Sequence, residues 1–111
     1  METKELTIEG LQKYIRRFDH RPEHRQAYFM KLVEEVGELS EVIRKNARMK
    51  DNDTIKGTIE EELSDVLYYV VALANVYDIN LTDSFWMKDE LNKIKWSRQE
   101  YEYAVNQAKG E

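Results

Sequence analysis

Apolar residues recur every three or four positions along almost the whole chain. This pattern predicts helices and leaves no period-two stretch long enough for a sheet. Thr7 reads as the N-cap of a first helix, with Ile8, Leu11, Ile15 and Phe18 on one face until about Asp19. Asp19 to Arg21 form a short connection. Pro22 is suited to open a second helix, because its missing N–H would be unpaired there anyway, and Glu23 suits the helix dipole. The pattern carries this helix to about Arg48. Residues 49–57, with Asp51, Asn52 and Asp53, form the one sizeable loop, and Thr58 with Glu61 resembles a capping box. A third helix then begins between Thr54 and Thr58 and runs to about Tyr77. Asp78 to Asn80 make a turn, and Asn80 with Asp83 is a second capping-box candidate for a fourth helix reaching at least Trp96. The polar tail from about Ser97 is expected to fray.

The expected fold class is therefore all-α and four-helix bundle-like, in a single domain over residues 1–111. Four Gly and one Pro leave no linker or repeat. A helix of about 24 residues spans roughly 36 Å, more than so small a globule needs, so a homodimer or homotetramer is expected.

Acid placement supplies the candidate chemistry. From Leu63 to Tyr77 only Ser64, Asp65 and Asn75 are conventionally polar, so the third helix should be buried nearly all round. At about 100° per residue, Asp65 lies in the arc of Val66, Tyr69, Ala72, Leu73 and Val76, and Glu62 falls between Tyr69 and Leu73. A buried, unpaired carboxylate costs several kcal/mol or must take a proton. On the second helix, Glu35 borders the stripe of Tyr28, Leu32, Leu39 and Val42, Glu38 lies one turn further on the polar side, and Glu41 points away. Glu34, Glu41, Glu60 and Glu61 read as solvated face. Two helices thus each offer an acid pair at spacing three, and facing each other they would make a four-carboxylate cluster suited to Mg²⁺ or Mn²⁺. Salt bridges to Lys or Arg of another helix are the structural alternative. A ferritin-like di-iron site is excluded, because Arg17 and Arg21 stand three residues before His20 and His24, where Glu would be needed.

Composition narrows the partners. The net charge of −5 argues against nucleic-acid binding. The longest apolar run, Val66 to Ala74, is too short to span a bilayer, and the N-terminus has no signal-like apolar region, so no membrane role and a cytoplasmic location are expected. With no cysteine and two histidines, any metal must be held by oxygen.

The stretch Lys31-Leu-Val-Glu-Glu-Val-Gly-Glu-Leu39, followed by Glu61-Glu-Leu-Ser-Asp-Val-Leu67, resembles the MazG-type all-α nucleoside triphosphate pyrophosphohydrolases. Their signature is E-x-x-E, a spacer, then E-x-x-D, here Glu35-x-x-Glu38, 23 residues, and Glu62-x-x-Asp65. The resemblance covers roughly residues 25–96 and includes Lys88-x-x-x-Asn92-x-x-Lys95, similar to a downstream K-x-x-x-N-x-x-R/K pattern, with Lys95 where Arg is common.

The resemblance implies an oligomer whose Glu35, Glu38, Glu62 and Asp65 bind Mg²⁺, and a reaction splitting a nucleoside triphosphate into monophosphate and pyrophosphate. Glu35 or Glu38 would accept the proton of the attacking water. Lys88, Asn92 and Lys95 fall within roughly 60° on the fourth helix and form a stripe that could meet phosphates, or a solvated face. Trp86, Trp96, Tyr68 and Tyr69 could stack on a base, but core or subunit packing explains their spacing better, so the base pocket is unassigned. Alternatives within the same structural class are a dUTPase-like enzyme and a phosphoribosyl-ATP pyrophosphohydrolase. A non-catalytic helical interaction or regulatory module is the alternative outside it.

Overall fold

The computed structural model describes residues 4–51, 54–95 and 98–108, without the side chains of residues 94, 95, 98, 99 and 101. All regular structure among the described residues is helical: α1 (Ile8–Phe18), a 3₁₀ turn (Pro22–His24), α2 (Arg25–Arg44), α3 (Ile59–Val76), α4 (Leu81–Lys95) and α5 (Arg98–Ala108). The chain divides into two compact units, Met1–Ile79 and Asn80–Glu111.

In the first unit α2 packs along α3, and α1 packs on α3 as well. Thr7 caps α1, its hydroxyl accepting the Gly10 N–H at 2.9 Å, and Thr58 caps α3 by accepting from the Glu61 N–H at 3.2 Å. Glu61 completes that cap by accepting the Gly57 N–H at 2.7 Å, and Gly57 has φ +79°, the left-handed region that favours glycine. Ile15 of α1 and Val71 of α3 are wholly buried. Asn75 is buried with them and is satisfied there: its amide accepts from Gln12 Nε2 and donates to the Gln12 carbonyl, both at 2.9 Å.

Several sequence expectations need correction. Pro22 opens a 3₁₀ turn rather than the α-helix itself, and α2 ends at Arg44, four residues before the expected Arg48. Asn46 stops it: at φ +51° its N–H bonds back to the Ile43 carbonyl and the Ala47 N–H to that of Val42, a Schellman closure. Asp78, at φ +55°, closes α3 in the same way through the Asn75 and Ala74 carbonyls. The loop before α3 is held by Glu60, which was expected to be solvated. It accepts the Met49 N–H at 3.0 Å and pairs with Arg48 at 2.9 Å. Nor is α3 buried all round, since Leu63, Leu67 and Val70 are 53%, 40% and 37% exposed.

In the second unit the Asn80 side chain accepts the Asp83 N–H at 3.0 Å, as the capping pattern predicts, and α4 and α5 contact each other. The expected end of α4 at Trp96 and the start of the tail at Ser97 lie outside the described residues. Instead of a frayed tail, the structure has a fifth helix, α5, where four helices were expected. No helix among the described residues is long and apolar enough to cross a membrane.

Candidate active site

Two helices build the site. The α2–α3 packing brings carboxylate oxygens of Glu35, Glu62 and Asp65 within 4.8 Å of one another. Glu35 and Glu62 are only 7% and 8% exposed, and Asp65 is half-buried. Glu38 is exposed and lies outside this trio, as its position on the polar side of α2 dictates, yet it is close enough to raise the pKa of all three. The four expected carboxylates thus form a trio, two of them buried and Asp65 half-buried, with one exposed neighbour.

The electrostatics are dominated by burial and by like charge. Burial, then the Glu38 carboxyl, push Glu35 up from 4.5 to about 7. Glu62 is raised by burial and then by Glu38 and Asp65, and Asp65 by burial and then by Glu61 and Glu38, with Lys31 working the other way. No salt bridge among the described residues reaches the trio. Glu62 Oε2 is buried with no hydrogen-bond partner. Three hard oxygen donors, one of them orphaned, fit a divalent cation such as Mg²⁺ or Mn²⁺ and do not fit a structural salt bridge.

Lys88 is exposed and Asn92 half-buried on α4, in the second unit, and the Lys95 side chain lies outside the described residues. Trp86 is 61% exposed, and Trp96 also lies outside the described residues. Tyr68 donates its hydroxyl to Asp19 at 2.6 Å and packs edge-on against Tyr69 with ring centroids 5.0 Å apart. Asp19 is the residue that sequence reasoning missed. Its other carboxylate oxygen accepts the Tyr28 hydroxyl, also at 2.6 Å, and these two bonds hold its pKa below the ordinary value. Nothing at a separation of 49 residues in sequence signals that Asp19–Tyr68 bond.

The MazG nucleotide pyrophosphohydrolase domain model matches residues 23–97 of this sequence, most of its length. The chain belongs to the MazG nucleotide pyrophosphohydrolase family. Among solved structures it is similar to iMazG from Vibrio DAT 722. The N-tagged crystal form is 48% identical with a TM-score of 0.75, covering 83% of this chain and 99% of that one. A C-tagged form is 49% identical with a TM-score of 0.74, covering 79% and 99%. Comparison with curated proteins gives no match. As a MazG-family member the chain is a nucleoside triphosphate pyrophosphohydrolase, a hydrolase acting on nucleotides. MazG enzymes generally use a divalent metal, in keeping with the acid trio.

Proposed function

We propose that this chain is a Mg²⁺-dependent enzyme that hydrolyses the α–β phosphoanhydride of a (d)NTP to give the (d)NMP and pyrophosphate. The observation that carries this reading is the trio Glu35, Glu62 and Asp65, two of them buried and one half-buried, with oxygens within 4.8 Å of one another and no salt bridge among the described residues reaching them. These three would hold the metal, and Glu38 stands at their edge. Bound Mg²⁺ would offset the triphosphate charge and make a water more acidic.

The remaining chemistry falls to the chain. Water attacks the α-phosphorus, the new O–P bond forms as the bond to the bridging α–β oxygen breaks, and pyrophosphate leaves with that oxygen. The water's proton must be accepted. Glu35 lies inside the trio, whereas Glu38 is exposed at its edge, so we assign Glu38 as the general base. Lys88, Asn92 and Lys95 are retained as candidate phosphate contacts, supported by their shared stripe on α4.

We further propose a homodimer or homotetramer, supported by the exposed apolar stripe Leu63, Leu67 and Val70. The family match runs across both compact units, which supports reading residues 1–111 as one domain. We expect the enzyme in the cytoplasm, where nucleoside triphosphates and Mg²⁺ are found together, acting on nucleotides and not on nucleic acid or membranes.

The test is a screen of all common NTPs and dNTPs with Mg²⁺, with Mn²⁺ and with EDTA, identifying both products. Monophosphate plus pyrophosphate, abolished by EDTA, is expected. Diphosphate plus orthophosphate would place attack at the terminal phosphorus and sink the mechanism.

A further inference from the structure

The connection between α1 and α2 carries one acid that the mechanism above does not use. Asp19 ends α1, and its N–H bonds back to the carbonyl of Ile15, a wholly buried residue, so its backbone is tied to the core of the first unit. Its carboxylate reaches two helices. One oxygen accepts the Tyr28 hydroxyl of α2 and the other the Tyr68 hydroxyl of α3, both at 2.6 Å. The Tyr28 hydroxyl in turn accepts the Arg21 N–H at 3.1 Å, which fastens the connection at the same point. Asp19 therefore joins α2 to α3 through two charge-assisted hydrogen bonds, a stronger class than bonds between neutral groups.

The two tyrosines stand on the helices that carry the acid trio. Tyr28 precedes Glu35 by seven residues, two turns of α2, and falls on the same side of that helix. Tyr68 follows Asp65 by three residues on α3 and is its neighbour on the helix surface. The bridge thus lies about 10 Å along α2 from the trio. Burial and like charge both work against the trio's ionised form, so without a cation its charges drive the two helices apart. Ligand oxygens stay at one spacing only if the groups that support them keep their places. Apolar packing is non-directional and permits sliding, whereas a short O–H···O bond constrains both distance and angle.

We propose that Asp19 is a positioning residue for the metal site: by bridging Tyr28 and Tyr68 it holds α2 and α3 in the register that keeps Glu35, Glu62 and Asp65 at ligand spacing. The proposal rests on the metal reading above. The two arms act in series, so breaking either one releases the bridge.

The test is a calorimetric titration of Mg²⁺ into the parent, Tyr28→Phe, Tyr68→Phe, the double Phe variant and Asp19→Ala. Phe keeps each ring and removes only the hydroxyl. Thr7→Ala is the control, since it weakens the start of α1 without touching the bridge. Each Phe variant is expected to bind Mg²⁺ about tenfold more weakly than the parent. The double variant should be no weaker than either single, and Asp19→Ala should match it. Thr7→Ala should bind like the parent even where melts in EDTA show it equally destabilised. Turnover against Mg²⁺ concentration should show a matching split, with half-saturation raised about tenfold and kcat at saturating Mg²⁺ near the parental value. Parental Mg²⁺ affinity in both Phe variants would overturn the proposal. An equal loss in Thr7→Ala would reduce Asp19 to a contributor to general stability and overturn it too, and so would losses that add in the double variant, because the hydroxyls would then act independently. Should Asp19→Ala fail to fold, the Phe variants decide. A parent that binds no Mg²⁺ is a separate failure, which ends the metal reading itself and the bridge's role with it.

Discussion

Glu35 and Glu62 come from different helices and bring carboxylate oxygens within 4.8 Å of each other, with both side chains more than nine-tenths buried. Like charges at such range in a water-poor site repel, so packing elsewhere must hold α2 and α3 in register. Ile15 and Val71 lie wholly inside the first unit, and the Thr58 cap fixes where α3 begins. Four residues after that cap comes Glu62, on the first turn of α3, already committed to the α2 face. The site therefore stores unfavourable electrostatics that a cation would relieve.

The first consequence is a dependence of metal-free stability on pH. Glu35 is shifted from 4.5 to about 7, so the folded protein holds a proton that the unfolded chain releases across that window. The unfolded state binds fewer protons there, and stability must fall as pH rises from about 4.5 to about 7. Roughly 1–3 kcal/mol is expected. Urea melts in EDTA at pH 5.0 and 7.5 measure it. Added Mg²⁺ should offset most of the fall, and an EDTA profile that is flat or rises with pH would contradict the electrostatics of the trio.

Glu35 and Glu38 should separate in their variants. Glu38→Gln is expected to lower kcat by about 10²–10⁴-fold while keeping most of the Mg²⁺-induced rise in melting temperature. Glu35→Gln should lose both. Retention of activity in Glu38→Gln, measured by pyrophosphate release, would return the role of base to another group.

What the sequence made legible follows from local physics. Thr7, Thr58 and Asn80 announce helix starts through their own backbone partners, and Glu35, Glu62 and Asp65 betray themselves as charges on apolar arcs. Features that depend on distant chain were hidden. The bond from Tyr68 to Asp19 spans 49 residues, and the early end of α2 depends on Asn46 adopting a left-handed conformation that many residues avoid. The α3 arc was misjudged for a related reason. An apolar stripe reads the same whether its own chain or another covers it, and Leu63, Leu67 and Val70 lie exposed.

That stripe gives the assembly prediction. Light scattering at micromolar concentration should give a multiple of 13.3 kDa for the parent, and Leu67→Glu should shift the mass towards the monomer by forcing a charge into the contact. A parent mass near 13.3 kDa throughout that range would remove the oligomer from the proposal.

Neutralising Asp65 separates a metal site from a structural ion pair, because the two respond in opposite directions. In the metal-free protein Asp65 is raised by burial and by its acidic neighbours, so Asp65→Asn removes a repulsive charge from the trio. The metal-free variant should be as stable as the metal-free parent, or more stable by up to about 1.4 kcal/mol, the equivalent of one pKa unit. Mg²⁺ should raise the melting temperature of the parent by binding the folded state, and should do little for the variant, which loses nearly all activity. Were Asp65 paired with a buried cation, its neutralisation would instead cost about 3–5 kcal/mol. Thermal melts of both proteins in EDTA and in Mg²⁺ therefore decide the role of Asp65: a strongly destabilised variant beside a parent indifferent to Mg²⁺ would end the metal assignment.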